Sequence, residues 1–228
     1  MGSALQQAIE LILSGNDTLF QIIGVTLRMS LTSSLVALLI GVPLGVALTN
    51  SKSVFGNIII VLNRTMMGLP PVVCGLLCYL MFCGVGPLRH MYLLYTVEGM
   101  IIAQIILIAP MVAGNIESLT RGLADSVRET TRGLGLPRWK VALHIISECR
   151  YQVFTTYVLG LGRGLAEVGA VSMVGGAIAY KTNVMTTAIM MYTNQGDFKL
   201  AIALGIILIA IFLIMNIVLF FAQTRVSR

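Results

Sequence analysis

The 228-residue chain is 57% hydrophobic and only 11% charged, with a net charge of +6 and a mean hydropathy of +0.92. Soluble domains carry about 25% charged residues, so this composition excludes a soluble globular protein and indicates an all-α polytopic membrane protein. The basic excess does not indicate a nucleic-acid partner, because Lys and Arg are segregated loop by loop, as in a protein oriented in a bilayer.

Residues 1–17 contain Glu10 and Asp17 and no basic residue, which is not the pattern of a secretory signal. Met1-Gly2-Ser3 is followed by Gln at position 6, where a myristoylation site needs Ser or Thr. Residues 4–14 read as a short interfacial helix. Residues 29–51, 65–88, 99–116 and 200–224 then carry no Lys, Arg, Asp or Glu, and each approaches or exceeds the roughly 18 to 20 residues that cross a hydrocarbon core. A fifth apolar run, about Tyr151 to Ile178, is interrupted only by Arg163, Glu167 and little else that is polar. About five transmembrane helices follow, with a single transmembrane domain over residues 1–228 and no appended soluble domain.

In the first span, Gly41-Val-Pro43-Leu-Gly45 predicts a kink or local unwinding, and Arg28 lies two turns in, within reach of the outer interface by snorkelling. The second span contains Gly68-Leu-Pro70-Pro71, where two missing amide donors break the ladder. Such a break stands against protein or a wet cavity, or is simply a bent helix packed on its neighbours; both readings stay open. Pro110 in the third span raises the same question. Short loops at 84–94 and 175–199 complete one side, the second with room for a short re-entrant or interfacial piece.

With five spans, Lys52, Arg64, Arg121, Arg128, Arg132, Arg138, Lys140, Arg225 and Arg228 fall on one side, and Arg89, Lys181 and Lys199 on the other. The richer side is expected to be cytoplasmic, with the amino terminus outside and the carboxyl terminus inside.

One polar, basic stretch, Asp125 to Lys140, separates the third and fourth apolar regions. Its backbone and charges would be unsatisfied in lipid, so it belongs in water. Ser126-Val-Arg-Glu129 fits a capping box, which predicts that a short helix begins there. Gly135 followed by Pro137 is a stop signal, and Pro137 suits the first turn of the next helix. Trp139 suits the interface where that helix enters lipid.

Arg163 and Glu167 are four residues apart, which on a helix places them on one face within pairing reach. Arg163 lies roughly 20 Å beyond Arg150 at 1.5 Å per residue, deep in the bilayer. Charges at that depth face the bundle or a wet cavity and mark function, or lock two helices together; the sequence leaves these two readings equal. Gly160-x-x-x-Gly164 permits close helix approach.

Catalytic and metal chemistry find no constellation. Cys74, Cys78, Cys83 and Cys149 lack a ligand pattern and read as small buried hydrophobes, while His90 and His144 stand alone. The nearest string to a phosphate-binding loop, Gly175 to Thr182, places Tyr180 where the loop requires Gly. No cofactor is expected on this chain.

The stretch Glu129-Thr-Thr-Arg-Gly-Leu-Gly135-Leu-Pro-Arg-Trp resembles the cytoplasmic loop of binding-protein-dependent ABC importer permeases, with Thr130 and Thr131 in place of two alanines. The resemblance implies a coupling helix within a loop over 117–140 that docks on a separate ATPase, with Ser126, Glu129, Leu134, Gly135 and Pro137 as contact or turn residues. Gly162-Arg-Gly-Leu-Ala-Glu-Val-Gly-Ala170 resembles a signature of the molybdate, tungstate and sulfate branch, with Ala166 and Val168 where Gly and Phe are frequent. Together with Gly68-Leu-Pro-Pro-Val-Val73, Met173-Val-Gly-Gly176 and Thr186-Thr-Ala-Ile189, the chain looks most like tungstate permeases. The implied system is a bacterial or archaeal inner-membrane importer of a tetrahedral oxyanion. Two copies of this chain would stand between an external solute-binding protein and a cytoplasmic ATPase dimer that uses ATP and Mg. Arg163, Glu167, Gly68, Pro70 and Pro71 would line or gate its passage, opened by alternating access. The same permease class carrying molybdate, sulfate or phosphate, and a stand-alone channel or secondary carrier, are the competing expectations.

Overall fold

The computed structural model describes residues 6, 9–10, 12–49, 53–133 and 138–224, with backbone alone for 122–133, 138–139, 142 and 222–224. In the segment expected to be an amino-terminal helix, the described residues Gln6, Ile9, Glu10, Ile12 and Leu13 are helical. Helix α1 (Asp17–Thr49) starts where the Asn16 side-chain oxygen accepts from the amides of Thr18 and Leu19 at 3.0 and 3.3 Å, satisfying donors that the helix itself leaves open. Helices α2 (Val54–Met67) and α3 (Pro71–Phe82) follow, then a 3-10 turn at Arg89–Met91 and the long α4 (Val97–Gly133). After it come α5 (Arg138–Glu148), α6 (Arg150–Ala166), α7 (Gly169–Gly175), α8 (Met185–Asn194) and α9 (Phe198–Thr224).

Three of these are long and apolar enough to cross a bilayer as single helices: α1, α4 over Val97–Arg121, and α9 over Phe198–Phe221. The remaining two of the five expected spans are broken. Helices α2 and α3 meet at 101°, and α6 and α7 at 57°.

Helices α1 and α4 form the central seam. A Cβ added to Gly41 would lie 2.7 Å from the Cβ of Val112, and one added to Gly45 would lie 2.6 Å from the carbonyl oxygen of Ala113. Small residues one turn apart let two backbones approach closely, which is how helices associate where lipid is as apolar as the side chains. Ala37, Val42 and Val46 of α1 complete this core with Ile108, Val112 and Ile116 of α4, and with Ile145 and Cys149 at the α5–α6 junction. At the other end of α1, Leu19 and Ile22 pack with Met185 and Ala188 of α8 and Ala203 and Leu204 of α9. Helix α9 is otherwise peripheral, with 11% of its apolar window buried.

The expected unwinding at Gly41 to Gly45 is not found. Helix α1 continues through Pro43, with both glycines held against α4. Pro110 likewise sits inside an unbroken α4. The capping-box reading of Ser126 and Glu129 also needs correction. Both lie within α4 rather than at a helix start, since nothing between Arg121 and Ser126 stops the ladder and an N-cap requires non-helical backbone.

Candidate functional site

The two helix breaks meet. A Cβ added to Gly169 at the start of α7 would lie 2.8 Å from Val72 Cγ2 and 3.1 Å from the Val72 amide at the start of α3, and one on Gly75 would lie 2.7 Å from Ala170 Cα. The short limbs α3 and α7 are therefore stacked, which brings the start of α3, just after Pro70 and Pro71, against the start of α7, two residues beyond Glu167. At the first break Pro70 is extended (φ −61°, ψ 129°) and Pro71 occupies the first helical position, where no amide is required. The end of α2 tightens instead, with the Gly68 amide donating to Thr65 at 3.1 Å and that of Leu69 to Met66 at 3.2 Å.

At the second break the helix ends at Ala166 and Glu167 is extended (φ −73°, ψ 128°). Its carboxylate Oε1 accepts from the Ala170 amide at 3.0 Å, supplying α7 with the cap that Val168 cannot provide. Its carbonyl accepts from the Thr186 hydroxyl at 2.9 Å. Irregular backbone survives at membrane depth when neighbouring protein satisfies it in this way.

The expected Arg163–Glu167 pair is accordingly absent. Helical i,i+4 spacing presupposes a continuous helix, and the chain turns between the two residues. Among the described residues Arg163 has no carboxylate within 4.0 Å, the range used for ion pairs, and its Nε is buried without a hydrogen-bond partner. Both residues do line one crevice with Gln104, Leu107, Ile108 and Gly164, closed even to a water molecule. The small-residue strip works as expected: Cβ atoms added to Gly160 and Gly164 would lie 3.1 and 3.3 Å from Ile108 of α4.

Sequence reasoning missed the residue at the centre of this region. Gln104 is 1% exposed; its Oε1 accepts from Ser33 Oγ of α1 at 2.5 Å, and its Nε2 donates to the Gly164 carbonyl of α6 at 2.8 Å. One side chain thus ties three spans together. Its signal was an amide in a charge-free window, where a polar group needs a partner. Around it, Thr26 Oγ1 accepts from the Met185 amide at 2.9 Å, and Thr182 Oγ1 donates to the Gly175 carbonyl at 2.6 Å. The segment between α7 and α8 is thereby fastened to α1. Helix α8 occupies part of the loop that had room for a short re-entrant or interfacial piece.

A second polar cluster joins α1, α2 and α4. Glu117, 3% exposed, faces Arg64 at 3.6 Å and is hydrogen-bonded by Arg121. Thr49 and Thr120 share a hydroxyl hydrogen bond of 2.7 Å, and Asn63 Nδ2 donates to the Pro110 carbonyl at 3.1 Å. Helix α4 runs without interruption from here through Ser126 and Glu129. Leu134, Gly135 and Pro137 of the expected docking turn lie outside the described residues. Arg28, read as snorkelling, has an exposed side chain and meets Glu98 of α4 at 3.7 Å.

Cys74, Cys78 and Cys149 are buried as expected, whereas Cys83 is only partly buried. Cys74 and Cys78 belong to an apolar cluster with Phe82, Ala103 and Leu107, and Cys83 donates to the Leu80 carbonyl at 3.3 Å. Burial, with the nearby Glu148 charge, pushes the Cys149 thiol above its ordinary range, so it stays neutral and packs as a small apolar group.

Stacked broken spans held by intramembrane polar clips define a multi-pass membrane protein built around irregular backbone. Residues 37–228 match the family of binding-protein-dependent transport system inner membrane components, and the chain belongs to that family. It is similar to a tungstate uptake system permease protein of Peptoclostridium acidaminophilum, with 32% identity over 98% of both chains. A probable anion ABC transporter permease protein of Haloferax volcanii is also 32% identical, over 87% of this chain and 88% of its own. In fold the chain resembles a crystal structure of a bacterial ABC transporter involved in the import of the acidic polysaccharide alginate. The TM-score is 0.74 at 18% identity, covering 96% of this chain and 82% of that one.

Proposed function

We propose that this chain is the membrane-spanning subunit of an ATP-driven importer of a tetrahedral oxyanion, with tungstate as its cargo. The observation that carries this reading is the end-to-end similarity to a tungstate uptake permease. The geometry agrees with it. An arginine without a counter-charge among the described residues stands beside two adjoining helix breaks, the arrangement in which intramembrane charge marks an ion path. Arg163 would favour the anion's passage, and Gly68, Pro70, Pro71 and Glu167 would form the hinge that opens and closes it.

Two copies of the chain would enclose the path, with a solute-binding protein outside and an ATPase dimer, binding ATP and Mg, on the cytoplasmic side. The docking element would lie within residues 117–140, at and beyond the far end of α4. Because α4 is continuous from Val97 to Gly133, movement at the docking end reaches Gln104 and Gly164 through one rigid rod. Closure of the ATPases would rock α4 and part the crevice, giving alternating access. Orientation follows the basic side inward, placing the amino terminus outside and the carboxyl terminus in the cytoplasm.

The test is co-purification of the membrane subunit with its ATPase. Glu129→Lys and Gly135→Arg should each release the ATPase while leaving the membrane subunit folded. Retention of the ATPase by both variants would contradict the docking assignment.

A further inference from the structure

We propose that Ser30 of α1 and Arg163 of α6 are the two donors of an oxyanion subsite within the membrane, held in register by Gln104. This rests on the oxyanion-importer reading and names where, within the passage, the anion is handled.

The starting point is a departure from local habit. Hydroxyls on a membrane helix ordinarily donate to a carbonyl one turn back, and along α1 Thr26, Thr32 and Ser34 do so, to Ile22, Arg28 and Leu31, while Ser33 gives its proton to Gln104. Ser30 does neither. It is 0% exposed, and its Oγ is buried without a partner. Only two other side-chain atoms among the described residues share that condition, Gln152 Oε1 and Arg163 Nε. Ser30 and Arg163 lie on adjoining elements: a Cβ on Gly164, the residue after Arg163, would lie 3.7 Å from Ser30 Cβ, so α6 packs on Ser30 one residue from Arg163. Buried polar groups without partners are costly, and two together at the joint of a transport pathway call for a ligand that supplies what both lack.

The chemistry of that ligand follows from what is spare. Gln104 lines the crevice with Arg163, with both ends of its amide committed to Ser33 and Gly164; it positions α1 and α6 and has no remaining role as principal donor. What remains is a guanidinium N–H and a hydroxyl, a donor pair carrying one positive charge. Its complement is an anion with several acceptor oxygens, recognised through charge-assisted hydrogen bonds. The crevice beside Arg163 is closed to water in this conformation, so the subsite is filled only when α4 and α6 part. Glu167 lines the same crevice, with one oxygen held by the Ala170 amide. Its charge keeps the anion's hold weak, and a passage needs binding weak enough to release.

The experiment uses the complete complex of permease, ATPase and binding protein in proteoliposomes, with tungstate as the probe and uptake counted per ATP hydrolysed. Ser30→Ala should lower tungstate uptake per ATP about tenfold, the value of one hydrogen bond to a charged group, with assembly and ATP hydrolysis retained. Arg163→Gln should lower it at least as much, and the double variant should fall little below the worse single variant, because both donors serve one anion. Ser30→Ala transporting at the unaltered rate would overturn the subsite, even if Arg163 variants fail to assemble. Failure of the unaltered complex to transport tungstate would instead overturn the underlying oxyanion reading.

Discussion

Arg64 of α2 reaches Glu117 of α4 across 3.6 Å, and the carboxylate it meets is almost wholly buried while the guanidinium is mostly exposed. This asymmetry sets the order of mutational effects. Removing one partner of a buried charge costs most when the buried charge is the one left behind. Glu117→Gln leaves two solvated arginines and should cost about 1 kcal/mol. Combined Arg64→Ala and Arg121→Ala strands the carboxylate and should cost about 3 kcal/mol. Thermal unfolding in detergent gives the order; the reverse order would show that Glu117 is solvated.

Glycine substitutions separate the seam from the surface. Gly45→Ala drives a methyl against the Ala113 backbone, where neither helix can yield without opening the seam, and should cost about 2 kcal/mol or more. Gly24 and Gly205 have nothing within 4 Å of an added Cβ. Alanine at either should be neutral or stabilise the helix by up to about 1 kcal/mol. Folded yield and melting temperature of the three variants decide.

Gln104→Leu removes two hydrogen bonds and leaves the Gly164 carbonyl with only the Glu167 amide, at 3.3 Å. A loss of about 1–2 kcal/mol is expected, within the range for polar contacts between membrane helices. Added protease should then cut more readily near the α6–α7 break, whose position Gln104 fixes. Unchanged stability and cleavage would show that Gln104 is not the clip.

Glu167→Ala should destabilise α7 by about 1 kcal/mol through loss of its cap. In a double-mutant cycle with Arg163→Ala, the coupling between the two should be under about 1 kcal/mol, because they share a crevice but no ion pair. A coupling of 1 kcal/mol or more would restore the ion pair that their spacing suggests.

That spacing shows where sequence and structure part. Apolar runs of span length were legible because lipid demands them, and the Gly68-Leu-Pro-Pro break because proline cannot donate. Arg163 and Glu167 misled because i,i+4 logic assumes a continuing helix, and Val168 carries no stop signal; the turn is imposed by Val72, packed against Gly169. Gly41 and Gly45 looked like a weak point and are instead the tightest part of the seam, since a glycine's role depends on what faces it. Ser126 and Glu129 fit a capping pattern that a continuous helix also accommodates. Ser30 and Gln104 gave only a faint signal, polar groups in apolar windows, whose meaning comes from elements far away in sequence.

The central claim is that this chain moves an oxyanion using work done by another subunit. Tungstate accumulation in proteoliposomes containing the permease, its ATPase and its binding protein tests it directly. Accumulation should require ATP on the side of the vesicle membrane that corresponds to the cytoplasm and should stop when the ATPase is omitted. Tungstate entry through the permease alone, without nucleotide, would contradict it.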